Sequence, residues 1–288
     1  MVVHAHDFFL VCPNGAFMNF PAHEVCGLTP LSAACALSLC DRRSYSHKLV
    51  RVVRQLVQDR AARRGSPGAG FDVLLIHHSM RPLFARSGWP AECLFTLPNP
   101  CQPFSSQPLV AADHRAFFFV GRLDPEKGAY DFAAASSTAG VPAVIVGEGP
   151  ERAAIARDFP AVELTGWRTH EQIGELMQRA RCLVMPSRYQ EPFGMVAVEA
   201  LASGLPVIAS SHSFLAQDIA RLGLGLSLDT RDTARFASAL RSLAADDAQI
   251  AAMSERALCH VGELCTTVDA WRAELIAHFE RMLERACS

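Results

Sequence analysis

Two short segments set charged side chains where their surroundings make them conspicuous. In "EPFGMVAVEA" (191–200), Glu191 and Glu199 bracket a run that is otherwise almost entirely apolar. A carboxylate buried in such a run without a partner is costly. Pro192 restricts Glu191 to an extended backbone and puts a helix start near Phe193 or Gly194. The free amides of that first turn, with the helix dipole behind them, suit a phosphate or a carboxylate, and Gly194 keeps the approach open. Glu199 lies about a turn and a half deeper, roughly 8 Å along the axis. Two carboxylates accepting from hydroxyls fit a sugar and a ribose; the competing reading is a helix cap and a surface glutamate. In "VGRLDPEKG" (120–128), Arg122 and Lys127 share a loop with Gly121 and Gly128. Two cations so spaced can converge on one anion, and the glycines let backbone come close. Taken alone, the loop is equally a solvated turn before the next helix.

Familiar nucleotide fingerprints do not account for these residues. The chain has no G-x4-G-K-[ST] pattern and no G-x-G-x-x-G; "GEGPE" (147–151), with Gly147 and Gly149, is too short for a dinucleotide motif. A net charge of −2 gives no global pull toward nucleic acid. Half of the 288 residues are hydrophobic and 19% are charged, as in a globular protein with a large core. The sequence has no apolar run of the ~18 residues a spanning helix needs, and its start lacks the layout of a signal peptide, so the expected compartment is the cytoplasm. Four of the ten cysteines, Cys12, Cys26, Cys35 and Cys40, lie close together. Packed thiols are the plain reading; a structural zinc is the sharper one, although the wide spacings lack C-x2-C knuckles.

The elements that must position these residues alternate. A strand followed by a loop is predicted at 116–122 and a strand into a glycine turn at 141–149, with further strands at 162–166, 182–187 and 206–210 and helices at 126–139, 150–158, 170–180 and 193–202 between them. Short apolar strands separated by helices give a parallel sheet covered on both faces, whose ligands bind beyond the carboxyl ends of the strands. Every unusual polar motif follows a strand. Ahead of the proline- and serine-rich stretch 98–108, strands are predicted at the very start, at 72–79 and at 93–98, with a long basic helix at about 44–64. The expected domains are 1–108 and 109–288.

"GRLDPEKG", "VGEGPE", "LTGW" and "PSRYQEPFGMVAVEALASGLPVIAS", in that order, resemble the donor-binding domain of retaining glycosyltransferases of family four. "HAHDFFLVCPNG" and "CDRRSYSHKLVRVVRQ" resemble the acceptor domain of bacterial members that build surface polysaccharides. The resemblance implies an α/β protein of the GT-B fold, two Rossmann-like domains with parallel sheets. The first strands of the N-terminal domain have no counterpart here, so that domain is expected to be truncated, by a fragmentary chain or a late-assigned start.

What the resemblance implies can be carried over by position. Arg122 and Lys127 match the pair that holds the donor diphosphate, with Gly121 beside them. Glu191 matches the carboxylate near the donor sugar, and Glu199 the one that binds the ribose. Backbone at Phe193 and Gly194 would approach sugar and phosphate. Gly147 and Gly149 belong to the same donor site, Arg168 lies in the loop near the base, and His6 matches a histidine facing the donor sugar. The implied reaction is sugar transfer from a nucleotide-diphosphate donor, with retention and no required cofactor, to a glycan or lipid-linked acceptor. A GT-B sugar-nucleotide epimerase and a binding remnant without turnover are the alternatives. After "PVIAS" the family usually has a glycine-rich turn and a glutamate, where this chain has Ser213, Phe214 and Gln217. The arginine-rich stretch 42–65, with Leu49, Val52, Val53, Leu56 and Val57, points either to peripheral contact with the inner membrane face or to an ordinary helix with a solvated charged side.

Overall fold

The computed structural model describes residues 1–64 and 71–287; Gly65, the last residue of the basic stretch, lies outside them. In chain order the first elements are β1 (Val2–Ala5), β2 (Met18–Asn19), β3 (Glu24–Val25), α1 (Ala33–Leu37) and α2 (Tyr45–Arg64). They are followed by β4 (Asp72–Leu75), α3 (Arg81–Arg86) and β5 (Leu94–Thr96). Next come β6 (Ala116–Val120), α4 (Ala129–Ala139), β7 (Ala143–Val146), α5 (Arg152–Asp158), β8 (Glu163–Gly166) and α6 (His170–Met177). The remainder is β9 (Ala180–Met185), α7 (Met195–Ala202), β10 (Val207–Ser210), α8 (Leu215–Leu222), β11 (Gly225–Leu228), α9 (Thr233–Ala245), α10 (Asp247–His260) and α11 (Val268–Cys287).

The chain divides into two units. One comprises Met1–Pro100 and the stretch from Thr266 onward; the other comprises Cys101–Cys265. The sequence boundary at 108/109 keeps the tail with the second domain, whereas the structure packs it with the first. The reason is chemical: buried Asp72, at the head of β4, takes His278 Nε2 at 2.9 Å and Arg285 at 2.5 Å from α11. The His278 ring also lies edge-on to Phe95 of β5, with centroids 4.7 Å apart.

In the second unit six strands form one parallel sheet in the order β11-β10-β9-β6-β7-β8. The chain steps outward from β6 through β7 and β8, then returns to the other side of β6 for β9, β10 and β11. That is the doubly wound order 3-2-1-4-5-6. The apolar runs become its centre: Phe118 pairs with Val144 of β7 on one side and Leu183 of β9 on the other. Phe117 and Phe118 are wholly buried, each stabilising the fold by roughly 1.5–3 kcal/mol relative to exposure. Helices start where the sequence supplies caps. Thr169 and Gln172 form a reciprocal capping box at α6, and Asp232 and Asp246 cap α9 and α10. Gly140 and Gly223, in the left-handed region, close α4 and α8.

The first unit carries a three-stranded parallel sheet, β1-β4-β5, and a long irregular segment between β1 and α2. That segment is held by the Phe8–Phe17 contact and by buried Asn14, whose Nδ2 donates to the Met18 and Cys40 carbonyls. Helix α2 is oriented against its own pattern. Its buried positions are Lys48 and Gln55, while Leu49, Val50, Val53, Leu56 and Val57 are exposed. Lys48 reaches the Ser38 carbonyl and hydroxyl at 2.6 Å and also the Cys35 carbonyl; Gln55 Nε2 donates to Leu10 O at 2.5 Å. The backbone carbonyls of the irregular segment need donors, and these two polar side chains supply them. Among the described residues no helix is long and apolar enough to cross a membrane.

Candidate functional site

Strands β6 and β9 are neighbours in the sheet but lead into helices on either side of the point where strand order reverses. A crevice opens at such a point. The loops that follow the two strands are the ones that carry Arg122, Lys127, Glu191 and Gly194.

The loop after β6 is laced to the loop after β7. Gly121 N donates to Val146 O at 3.0 Å, Leu123 N to Glu148 O at 2.9 Å and Glu151 N to Leu123 O at 3.1 Å. A Cβ on Gly147, at φ 142°, would sit 1.9 Å from Gly121 O, and one on Gly149 would sit 2.7 Å from the Leu123 backbone. The two glycines therefore serve close backbone approach. The same loop presses on the loop after β9. Gly128, at φ 72°, leaves room for Pro186 O, which a Cβ would meet at 2.2 Å, and Arg188 N donates to Glu126 O at 2.8 Å. Arg188 Nε also holds Asp131 at 2.6 Å.

Across this seam Lys127 Nζ donates to Glu191 Oε2 at 2.8 Å and to the Tyr189 hydroxyl at 2.9 Å. Ser187 Oγ donates to the same Glu191 oxygen at 2.8 Å. Glu191 is buried and paired with the lysine. Burial, and then the Glu191 charge, push the Tyr189 phenol well above its ordinary value, so it stays a neutral hydroxyl. The two cations are thus unlike. Lys127 is held inside, whereas the Arg122 side chain is 69% exposed and pairs with Asp124 at 2.7 Å.

Helix α7 begins at Met195 with Gly194 as its N-cap, at φ 80° and without a side-chain cap. A Cβ at Gly194 would meet Met185 Sδ at 2.4 Å, and its φ of 80° lies in the left-handed region that favours glycine. The Phe193 side chain is buried and Phe214 N donates to Glu191 O at 3.2 Å. Glu199 lies on the helix flank with its side chain 14% exposed, and His170 Nε2 is 3.9 Å away. Burial raises its carboxyl above the usual range, partly offset by His170. No hydrogen bond to the Glu199 carboxylate occurs among the described residues. His170 opens α6 and stacks on Phe104 with centroids 5.1 Å apart; the Phe104 amide is held by Ser203 Oγ at 2.8 Å. Arg168 is half-buried beside Trp167, itself 69% exposed.

The structure therefore gathers Gly121, Arg122, Lys127, Gly147, Gly149, Glu191, Phe193 and Gly194 at the strand ends of one unit, with Glu199 on the flank of α7 and Arg168 after β8. His6 lies in the other unit, exposed, with its ring 4.4 Å from that of His4. Cys12 donates to Asn14 Oδ1 at 3.2 Å and Asn14 Nδ2 reaches Cys40 Sγ at 3.4 Å, so an amide sits between two of the four clustered thiols. Among the described residues, no three of those sulfurs come together closely enough to share an ion. Sequence reasoning passed over Ser187, Tyr189 and His170. The first two stand inside the motif that flagged Glu191, and His170 is announced only as a helix start by the T-x-x-Q capping box. Ser213 and Phe214 lie at the start of α8, and the Ser213 hydroxyl is buried with no hydrogen-bond partner among the described residues.

Comparison with known proteins places this geometry. Over 141 residues the chain is 36% identical to the glycogen synthase of Mycobacterium tuberculosis, and over 109 residues 39% identical to the D-inositol 3-phosphate glycosyltransferase of Corynebacterium kroppenstedtii. These matches take in 45% and 37% of this chain but only 34% and 24% of the relatives' own length. Among solved structures, sucrose-phosphate synthase from Thermosynechococcus elongatus superposes with a TM-score of 0.67 at 23% identity, covering 82% of this chain and 63% of that one. Anabaena HepE in complex with UDP gives 0.69 at 18%, covering 97% and 72%. These likenesses establish the fold, GT-B with parallel Rossmann-like sheets. The family model described as "Glycosyl transferases group 1" matches residues 103–258, more than half of the chain and nearly all of its second unit, and the protein belongs to that family.

Proposed function

We propose that this protein is a retaining glycosyltransferase that moves a sugar from a nucleotide-diphosphate donor held by its second unit. The observation that carries the reading is the Lys127–Glu191 contact of 2.8 Å across the β6/β9 reversal, beside the uncapped start of α7. An incoming diphosphate meets Lys127, the first-turn amides of α7 and Arg122. Arg122 is the mobile partner, because its exposed pairing with Asp124 is worth little and is readily exchanged. Charge that builds on the leaving diphosphate is then met by two cations and a helix dipole already in place. Glu191 keeps Lys127 positioned and presents its carboxylate toward the donor sugar. Glu199 accepts from the ribose hydroxyls, which supply the hydrogen bonds it otherwise lacks. That the Anabaena neighbour was solved with UDP and with UDP-glucose is in keeping with such a donor.

The acceptor we propose is a glycan or a lipid-linked saccharide. Support for work at a membrane surface comes from α2, whose exposed Leu49, Val50, Val53, Leu56 and Val57 are interleaved with exposed Arg54 and Arg60. Calorimetric titration against UDP-, GDP- and ADP-sugars tests the donor site: one base class should bind, and Arg122→Ala or Lys127→Ala should weaken it at least tenfold. Unchanged affinity in both variants would remove the assignment. Isomerised sugar nucleotide appearing without acceptor would replace transfer by epimerisation.

A further inference from the structure

Lys127 and Glu191 sit on separate segments, one leading into α4 and the other following β9. Each lies a few residues from a second charged side chain. Asp131, four residues after Lys127, is in the first turn of α4. Arg188 stands three residues before Glu191 in the loop after β9. The two form a bidentate pair: Arg188 Nε donates to Asp131 Oδ2 at 2.6 Å and Arg188 Nη2 to Asp131 Oδ1 at 2.5 Å. The Asp131 side chain is 13% exposed and that of Arg188 25%, which sets the pair apart from the exposed ion pairs that contribute little.

The backbone beside this fork is stitched as well. Arg188 N donates to Glu126 O at 2.8 Å, and Gly128 packs against Pro186 O, where a Cβ would sit 2.2 Å away. Among the described residues no side-chain hydrogen bond or ion pair joins the fork to Lys127 or Glu191. Arg188 commits its Nε and Nη2 to Asp131, so its charge is answered within the pair. The start of α4 favours a carboxylate there, which anchors the fork on a rigid element.

We propose that Asp131 and Arg188 are positioning residues for the donor diphosphate, acting through Lys127. A guanidinium–carboxylate fork permits one separation and one plane, which a single point charge does not. It fixes how the start of α4 stands against the loop after β9, and hence how far Lys127 stands from its two acceptors. Tyr189 follows Arg188 directly, and its hydroxyl accepts from Lys127 Nζ at 2.9 Å. Glu191 N donates in turn to Tyr189 O at 2.8 Å. A shift of Arg188 is therefore passed along three residues to both groups that hold the ammonium. This role rests on the donor-site reading above, in which Lys127 meets the diphosphate.

The test is a mutant cycle on the full chain. Each variant is titrated with UDP, GDP and ADP by NMR, which reaches millimolar affinities, and its melting temperature is followed in parallel. Arg188→Lys keeps the charge but loses the fork. In the parent background it should weaken binding of the preferred diphosphate about tenfold. In the Lys127→Ala background it should change that affinity by no more than about twofold, while lowering the melting temperature as much as in the parent. Asp131→Asn should match Arg188→Lys, and the two together should bind no worse than either alone. Lower melting temperatures with affinity unmoved make the pair a structural staple and overturn the proposal. An equal loss of affinity in both backgrounds shows Arg188 acting apart from Lys127, and overturns it too. If the parent binds none of the three diphosphates, the donor site is refuted and the positioning role falls with it.

Discussion

Lys127 is the sharpest place to perturb the protein, because its neighbours predict opposite effects for two substitutions. Lys127→Ala removes a charge-assisted hydrogen bond to Glu191 and leaves that carboxylate with the neighbouring Ser187 hydroxyl. Losing such a bond costs about 1.5–3 kcal/mol. The side chains are 21% and 11% exposed, so water reaches the orphaned carboxylate and about 1.5–2 kcal/mol is expected. At about 2–4 °C per kcal/mol, the melting temperature should drop by roughly 3–8 °C. Nucleotide-diphosphate affinity should fall further, by about 30- to 150-fold, the worth of about 2–3 kcal/mol in a cation–phosphate contact. Glu191→Gln should behave otherwise. It releases Lys127 from a competing anion while keeping the Tyr189 contact, so the bare nucleoside diphosphate should bind about threefold tighter or more. The advantage of the full sugar donor over the bare diphosphate should shrink, because the sugar-side carboxylate is gone. Calorimetry on the two variants and the double variant settles the matter. If both substitutions lower diphosphate affinity by the same factor, the pair is a structural clamp and Lys127 does not meet phosphate.

Other expectations are equally concrete. Gly147→Ala places a Cβ 1.9 Å from the Gly121 carbonyl, so chemical denaturation should report a loss of about 3 kcal/mol or more; a loss under 1 kcal/mol would show that the two loops can part. For Glu199 the sign follows from its raised carboxyl. A folded-state value above the unfolded one makes the ionised form a burden, absent below about pH 4 and growing as pH rises through the raised value. Glu199→Gln should therefore melt slightly higher than the parent at pH 7 and equal to it near pH 4. The same variant should lose discrimination between ribo- and 2′-deoxyribonucleotides; retained discrimination would remove the ribose from Glu199. Replacing Val53 and Val57 together with Asp, on the exposed face of α2, should cut sedimentation with phosphatidylglycerol vesicles several-fold without changing nucleotide affinity. Equal sedimentation would dismiss α2 as the contact.

Much of this protein was readable before any coordinates. Five of the six strands in the second unit came out within a few residues, all but β11, because each is a short apolar run between turns, and a parallel sheet buried on both faces permits little else. Glu191, Gly194 and the Arg122–Lys127 loop were legible because carboxylates in apolar runs, a proline before a helix and glycines after a strand each have a local physical cost that demands a reason. Packing decided what no local pattern encodes. The α2 stretch left two readings open, membrane contact or an ordinary helix with a solvated charged side, and only the fold shows Lys48 and Gln55 turned inward, since the irregular segment beside them has carbonyls that need donors. Gly147 and Gly149 matched no nucleotide fingerprint, and only the fold shows that they let two loops touch. The tail reads as the end of the second domain, but a buried Asp72 holds it to the first. Lys127 and Glu191, 64 positions apart in sequence, meet because strand order reverses between β6 and β9. Residue types and spacings are set along the chain; which of them face one another depends on how the sheet is wound.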